Sequence, residues 1–413
     1  MSNGIVLIMG MVRRGEFESL QSRGIPLGIL VDTNSKQRLG DVSQFALVEK
    51  FDFSRPASDL VEAVRNIQSQ FGIQCLYNVI EFYVAQTAQV AAELGIANLS
   101  PSSAALCLDK NLMRSRFAQR IGPHTVARFR EVNSPTDMMQ FVDEVGYPVF
   151  LQPANVSASM WATCNTNQKS LVANYNTILQ EVPLYYEKLG KKGTPLSISI
   201  AEYLHGPNTS IDCLVDRSGR VFTTPPVDVL TGKDIGIDDY HHFARVLPSR
   251  LNSAEQEKLD HLAISGCLSL EMSSCAAHVE FIGDRLGEIA ARPGGNRARI
   301  LELAYGMDEL FAYYQVLTGQ APTLTKTKNN AAAIISPYPS KNGTLRAINH
   351  LDKIKQLPGY LYHEIRAQPG TAVGMANGGY RAPLYVELVS ENEDDVRRGL
   401  DQMIAWKDIY DVE

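Results

Sequence analysis

The sequence predicts a chain of mixed α/β and α+β class, divided into more than one domain. Three observations carry that expectation. Length is the first: 413 residues exceed what one hydrophobic core usually organises, so two or three domains are expected. The second is a strand–helix–strand alternation through the N-terminal quarter of the chain, which predicts a parallel sheet covered by helices. Third, the pattern changes after Val126 to shorter strands joined by tight turns and helices, which predicts smaller α+β units.

Composition narrows the function classes. A hydrophobic content of 45% and a charged content of 20% are those of an ordinary globular protein. The 39 basic and 45 acidic side chains give a net charge of −6 without a long basic run, which argues against a nucleic-acid partner. No uninterrupted apolar segment is long enough to span a membrane. The opening MSNGIVLIMG lacks the basic head and cleavage site of a secretory signal, so a cytoplasmic location is expected. Cysteines 75, 107, 164, 213, 267 and 275 form no C-x-x-C pair, so reduced thiols are expected rather than a zinc site or disulfide framework. His241-His242 reads as an isolated surface pair.

Taken in order, residues 5–9, 28–31, 48–51 and 75–79 read as buried strands, with helices near 16–23 and 57–70. The first turn, Gly10-Met11-Val12-Arg13-Arg14-Gly15, is not G-x-G-x-x-G, so no dinucleotide site is expected there. A helix over 81–94 closes on Gly95, Ser100-Pro101 caps another, and Asp109-Lys110-Asn111 lies inside a helical run to Arg120. Then follow a helix over 135–145, strands over 147–152 and 161–165, and a helix through 178. Residues 188–193 read as a polar link, 197–204 as a strand, His205-Gly206-Pro207 as a turn, and 209–224 as a hairpin. A helix over 253–268, two more between 300 and 317, a linker over 319–328, and a strand-rich tail ending in an acidic helix complete the chain.

The segment from His278 to Arg299, HVEFIGDRLGEIAARPGGNRAR, is the densest in chemistry. It reads as two short strands around a three-residue turn, Gly283-Asp284-Arg285, which pairs Ile282 with Leu286 and Glu280 with Glu288. Both carboxylates then project from one face, with Cβ atoms roughly 4.5–5.5 Å apart. Like charges directly opposed are destabilising, and a hard cation such as Mg²⁺, held by one or two carboxylates plus substrate phosphates, would compensate. Alternatively the hairpin is a solvated one whose glutamates point to water. Arg292-Pro293-Gly294-Gly295 adds a fixed cation, a rigid turn and backbone N–H groups that an anion can approach.

The order of these pieces resembles the ATP-grasp carboxylate–amine ligases over nearly the whole chain. Four features carry the resemblance: Asp109-Lys110 with Arg114 and Arg116 on one helix, the Tyr147-Pro148-Val149 strand, Glu202-Tyr203-Leu204-His205-Gly206-Pro207, and the acidic hairpin. Glu288-Ile289-Ala290-Ala291-Arg292 is similar to the corresponding segment of the bacilysin-type L-amino-acid (dipeptide) ligases, as is the glycine-punctuated stretch Pro369-Gly370 through Gly378-Gly379. The resemblance implies an ATP-grasp fold in four parts: an N-terminal α/β domain (1–106), ATP-grasp subdomains A (107–192) and B (193–325), and a C-terminal strand-rich α+β region (326–413). It implies that ATP lies between the subdomains, with Lys110 and position 152 at the phosphates, the backbone of Glu202, Tyr203 and Leu204 at the adenine edge, and Asn208 where relatives place a ribose ligand. Glu280 and Glu288 would hold Mg²⁺ or Mn²⁺, and Arg292, Gly295 and His278 would serve the reacting groups, with Gly294 and Asn296 offering further N–H groups. The implied reaction is ADP-forming amide synthesis between an amino acid or small carboxylate and an amine, through an acyl phosphate. A carrier-protein acceptor and a homodimer are further expectations.

The chain also departs from that pattern. Gln152-Pro153 stands where relatives have Lys-Pro, and residues 154–160 form a flap without glycine. Asn208 replaces a glutamate and Ala290 a metal-ligating asparagine, the latter a change that amino-acid ligases share. Lys169, Lys191 and Lys192 are candidates to restore the missing charge. The alternative is a degenerate ATP-grasp-like protein with weak or no nucleotide turnover, acting as a binding or accessory protein.

Overall fold

The computed structural model describes residues 4–11, 17–35, 44–157, 159–189, 194–237 and 239–413. The N-terminal quarter forms a four-stranded parallel sheet in the order β3-β2-β1-β4, from β1 (Ile5–Gly10), β2 (Leu27–Asp32), β3 (Leu47–Phe51) and β4 (Ile73–Tyr77). All six residues of β1 and of β2 are buried, as a sheet covered on both faces requires. Helices α1 (Glu18–Gln21), α2 (Ala57–Phe71) and α3 (Val84–Leu94) accompany it, and α3 stops at Gly95 in the left-handed conformation. The expected non-Rossmann turn at 10–15 falls largely on residues 12–16, outside the described residues, as do Lys191 and Lys192 and most of the expected link at 188–193.

Two helices lead out of this sheet. Ser100 caps α4 (Pro101–Leu108) by accepting from the Ser103 N–H, and Asp109 caps α5 (Lys110–Arg120) by accepting from the N–H groups of Asn111 and Leu112. Asp109 therefore divides two helices rather than lying inside one, since a capping carboxylate satisfies N–H groups that have no partner within the helix. A second, antiparallel sheet runs β5-β8-β6-β7, from β5 (Phe129–Glu131), β6 (Val149–Pro153), β7 (Thr163–Asn165) and β8 (Ile198–Glu202). Helices α6 (Pro135–Val145) and α7 (Gln168–Lys188) cover the face made by Val149, Leu151, Ile198 and Ile200. The α7 helix runs ten residues beyond the expected end at 178 and carries Pro183 internally. Burial of Val182 and Tyr186 outweighs the proline penalty there.

The third sheet has nine strands, ordered β14-β13-β9-β11-β12-β15-β19-β17 with β10 on β9. Its members are β9 (Asn208–Val215), β10 (Val221–Thr223), β11 (Val227–Thr231), β12 (His242–Leu247), β13 (Cys275–Ile282), β14 (Arg285–Ala290), β15 (Ala331–Ile335), β17 (Tyr360–Ile365) and β19 (Leu384–Ser390). A small sheet of β16 (Gly343–Ile348), β18 (Ala372–Val373) and β20 (Tyr410–Val412) lies beside it. Helices α8 (Ser253–Ser269), α9 (Arg297–Tyr305), α10 (Glu309–Leu317), α11 (Leu351–Ile354) and α12 (Glu393–Ala405) complete the chain. The strands β11, β12, β18 and β20 were not among those expected. Because β15 pairs with β12, the C-terminal strands extend the sheet that holds the acidic hairpin. Similarly, β8 pairs with β6, so residues 198–202 belong with the strands before them.

Candidate active site

The acidic hairpin is formed by β13 and β14, with Glu280 directly opposite Glu288. Its turn differs from expectation. Two residues, Gly283 and Asp284, make the connection, so Ile282 pairs with Arg285 rather than Leu286, and an irregularity between Glu280 and Phe281 restores the glutamate pairing. Gly283 has φ +57°, which glycine adopts without steric penalty. The solvated alternative does not hold for Glu288, whose carboxylate meets Lys110 at 3.1 Å with side chains 22% and 10% exposed. Burial pushes the Glu288 carboxyl above its ordinary range; Lys110 opposes this, while Glu81 and Glu280 add to it.

His278 is clamped between two carboxylates, its Nδ1 2.5 Å from Asp212 and its Nε2 3.1 Å from Glu280. Burial alone would raise the Glu280 carboxyl, but the His278 hydrogen bond and the charge of Arg292 hold it well below the usual range. Asp212, buried on β9 opposite His278, was not singled out by sequence. One signal was available: an acidic residue between Ile211 and Cys213 in an apolar strand. Its second oxygen accepts the Gly294 N–H at 2.5 Å. That N–H is therefore engaged by the protein, contrary to the expectation that it faces substrate. A Cβ at Gly294 would collide with the His278 ring and with Arg297, so no side chain fits there.

Arg292 donates to Glu81 at 3.0 Å, with both side chains less than a fifth exposed. Glu81 follows β4, so the N-terminal sheet contributes to the same cluster. Beyond the glycines, a Cβ at Gly295 would lie 3.8 Å from Arg245 Nη2, and that nitrogen is 3.2 Å from His242 Nδ1. Burial, reinforced by Arg297, lowers Arg245 to about 9. Burial also lowers His242 to about 3, and its ring lies 3.9 Å from Glu280. The two histidines are thus not a surface pair: His241 packs on Tyr338 with ring centroids 4.7 Å apart, and His242 borders the acidic hairpin. Asn296 stands at the start of α9 in the left-handed conformation, φ +61°.

Besides Glu288, Lys110 Nζ donates to Val156 O at 3.1 Å, and its backbone N–H donates to Ala154 O at 2.9 Å. The helix and the start of the flap are thereby tied together. Gln152 is buried and pairs across the ladder with Ser199. Arg128 holds the Glu202 carboxylate at 2.9 Å. Tyr203 and Leu204 lie between β8 and β9, outside both ladders, and the Tyr203 ring is 4.9 Å from His205. Asn208 opens β9 opposite Ile282. Gly206, φ +133°, packs against the hairpin turn: the Gly283 N–H donates to Pro207 O at 2.8 Å, and a Cβ at Gly206 would lie 3.0 Å from Gly283 Cα. Lys169 is exposed near the start of α7.

The structure therefore joins Lys110, Glu288, Glu280, His278 and Arg292 into one cluster, with Gly295 at its edge. Gln152 lies on the facing sheet, and Glu202, Tyr203, Leu204 and Asn208 form or border the connector between sheets. Among the described residues no set of three His, Cys, Asp or Glu side chains can hold a metal alone. Two carboxylates completed by substrate oxygens is nevertheless a usual donor set for Mg²⁺. Glu280 and Glu288 stand directly opposite each other on neighbouring strands, so the pair is placed to share such a cation. No helix among the described residues is long and apolar enough to cross a membrane.

No family model matches the chain. An uncharacterized protein of Sinorhizobium fredii is 21% identical over 375 residues, covering 86% of this chain and 73% of its own. The alanine–anticapsin ligase of Bacillus subtilis is 24% identical over 278 residues, 62% of this chain and 56% of the ligase. The chain thus matches about half the length of that ligase. Among solved structures, an L-amino acid ligase from Bacillus licheniformis superposes with a TM-score of 0.82 at 15% identity, covering 100% of this chain and 99% of that one. An N5-carboxyaminoimidazole ribonucleotide synthetase from Thermotoga maritima gives 0.70 at 15% identity, with 99% of each chain covered. A biotin carboxylase from Campylobacter jejuni, solved as a β-γ-ATP complex, gives 0.68 at 14% identity, covering 99% of this chain and 92% of that one. With these full-length superpositions, the chain has the fold of the ATP-grasp ligases.

Proposed function

We propose that this protein is an ATP- and Mg²⁺-dependent ligase that joins an amino acid or small carboxylate to an amine and releases ADP and phosphate. One observation carries the proposal: two opposed carboxylates, Glu280 and Glu288, lie within a half-buried cluster that also holds Lys110 and Arg292. The names of the matched ligases, alanine–anticapsin ligase and L-amino acid ligase, support amino-acid substrates. We assign the space between the second and third sheets to ATP; because β8 pairs with β6 and β15 with β12, the boundary expected at 193 moves past Glu202, and residues 326–413 share the third sheet with the region before them.

A carboxylate oxygen attacks the γ-phosphorus and the bond to the β–γ bridging oxygen breaks, leaving ADP and an acyl phosphate. The amine nitrogen then attacks the acyl carbon, the C–O bond to phosphate breaks, and the nitrogen loses a proton. Such a reaction asks the protein for positioning and charge stabilisation rather than for a nucleophilic side chain. Mg²⁺ or Mn²⁺, held by Glu280 and Glu288, would offset charge on the phosphate oxygens. Lys110 exchanges Glu288 for phosphate, and His278, fixed by Asp212, sets the orientation of Glu280. Arg292 faces the transferring group, the Gly295 N–H the acyl oxygen, and the backbone of residues 202–204 the adenine edge; Gln152 and Asn208 serve phosphate and ribose. The acceptor can be a free amine or one on a carrier protein, and a homodimer is the proposed assembly.

Gln152 and the glycine-free flap favour a second reading, a binding or accessory protein with weak or no turnover. ADP release across paired amino acids separates the two. Amino-acid-dependent ADP supports the ligase, and its absence in every pairing, with folded protein, rejects it.

A further inference from the structure

We infer that Arg114 is the cation that meets the terminal phosphates of the nucleotide, standing in for the charge that Gln152 does not supply. This rests on the proposal that a nucleoside triphosphate lies between the second and third sheets. Gln152 and Ser199 are cross-strand partners, so their side chains share one face of the second sheet. The opposite face is the apolar one covered by α6 and α7. Phe150 shares the face of Gln152, and its ring meets Tyr240 of the loop before β12 at 5.1 Å, so that face is turned toward the third sheet.

Arg114 reaches this face from α5, where its Nη1 donates to Ser199 Oγ at 3.1 Å. It lies one helical turn after Lys110, on the same side of the helix. Only 7% of its surface is exposed, yet among the described residues no carboxylate lies within ion-pair distance of it. A guanidinium has five N–H donors, and Ser199 takes one. Glu288 and Asp109 act on Arg114 only through space, and burial lowers its pKa in spite of them. Its neighbours are differently placed: Lys110 already holds Glu288 and Val156 O, and Arg116 faces Glu271 at 3.5 Å. A buried cation without a counter-charge is costly to keep. Beside a neutral Gln152 and next to the acidic hairpin, it fits an anion that arrives with the substrate.

Equilibrium binding of Mg·ATP and of AMP to four proteins tests this: wild type, Arg114→Met, Gln152→Lys, and the double variant. Arg114→Met should weaken Mg·ATP by at least about tenfold, the scale of one charged hydrogen bond, while AMP binding stays within about threefold of wild type on the same scale. Gln152→Lys in the Arg114→Met background should restore most of the lost ATP affinity. Unchanged ATP affinity in Arg114→Met overturns the inference, as does an equal loss for ATP and AMP that Gln152→Lys fails to rescue. If Arg114→Met does not fold, Gln152→Glu replaces it: selective loss of ATP supports the inference, and unchanged affinity overturns it. Wild-type protein that binds no nucleotide would reject the ligase proposal and this inference with it. Wild-type ATP binding with an indifferent Arg114→Met rejects only the latter.

Discussion

Glu288 is the residue on which charge balance and chemistry meet. Its carboxyl is held above the ordinary range by burial, and Lys110 is its sole ion-pair partner among the described residues. Opposed carboxylates suggest that Glu288→Gln would relieve repulsion and stabilise the metal-free fold. The raised carboxyl shows that burial, Glu81 and Glu280 outweigh Lys110, so the ion pair does not reverse that expectation. Glu288→Gln should abolish turnover and leave stability unchanged or higher, measured by denaturant unfolding. Gly294→Ala should reduce turnover roughly a hundredfold or more, since a misplacement near 1 Å at a reacting group is enough for that; steady-state kinetics would show it. His242 provides a pH test. Its folded pKa of about 3 lies below the ordinary 6.5, so between those values the unfolded chain binds a proton that the folded chain excludes. Stability should therefore fall as pH drops from 6.5 toward 3. His242→Gln should remove about 1–3 kcal/mol of that dependence, visible in melting curves across this window.

At the scale of elements, the hairpin and the connector between sheets form one unit. Gly206 and Gly283 approach backbone to backbone, so the segment assigned to adenine is braced against the turn that sets the acidic pair. Gly206→Val would place a β-branched residue at φ +133° against that turn. It should destabilise by about 1–3 kcal/mol and weaken nucleotide binding at the same time, which calorimetry can measure. The glutamate pairing was legible in sequence because strand alternation depends only on the number of residues between the two positions. A three-residue loop and a two-residue loop followed by a bulge use the same number, so the turn type was not legible. The end of α7 was hidden for another reason: Pro183 is a local stop signal, and the long-range burial of Val182 and Tyr186 overrides it. Strand β12 was missed because its two faces meet different surroundings, Phe243 in an apolar core and His242 at the acidic hairpin, which blurs the alternation.

Across the whole molecule, the site draws on all three large sheets: Glu81 follows the first, Gln152 lies in the second, and the hairpin belongs to the third. Such contacts leave little trace in local sequence. Glu81 and Arg292 are 211 residues apart, and Asp212 and His278 are 66 apart; neither pair follows from periodicity or turn chemistry. That Lys110, Glu280, Glu288 and Arg292 come together was legible because they lie in short segments whose residue types resemble a known ligase site. A protein that closes these sheets around nucleotide should gain about 2.7 kcal/mol of stability at a hundred times the dissociation constant of Mg·ATP, read as a rise in melting temperature. The central claim is the formation of an acyl phosphate. Hydroxylamine trapping, with ATP, Mg²⁺ and a panel of amino acids and small carboxylates, tests it most directly. The account predicts a hydroxamate in step with ADP for at least one carboxylate, and none with Glu288→Gln. Folded protein that yields neither hydroxamate nor ADP with any carboxylate would contradict it.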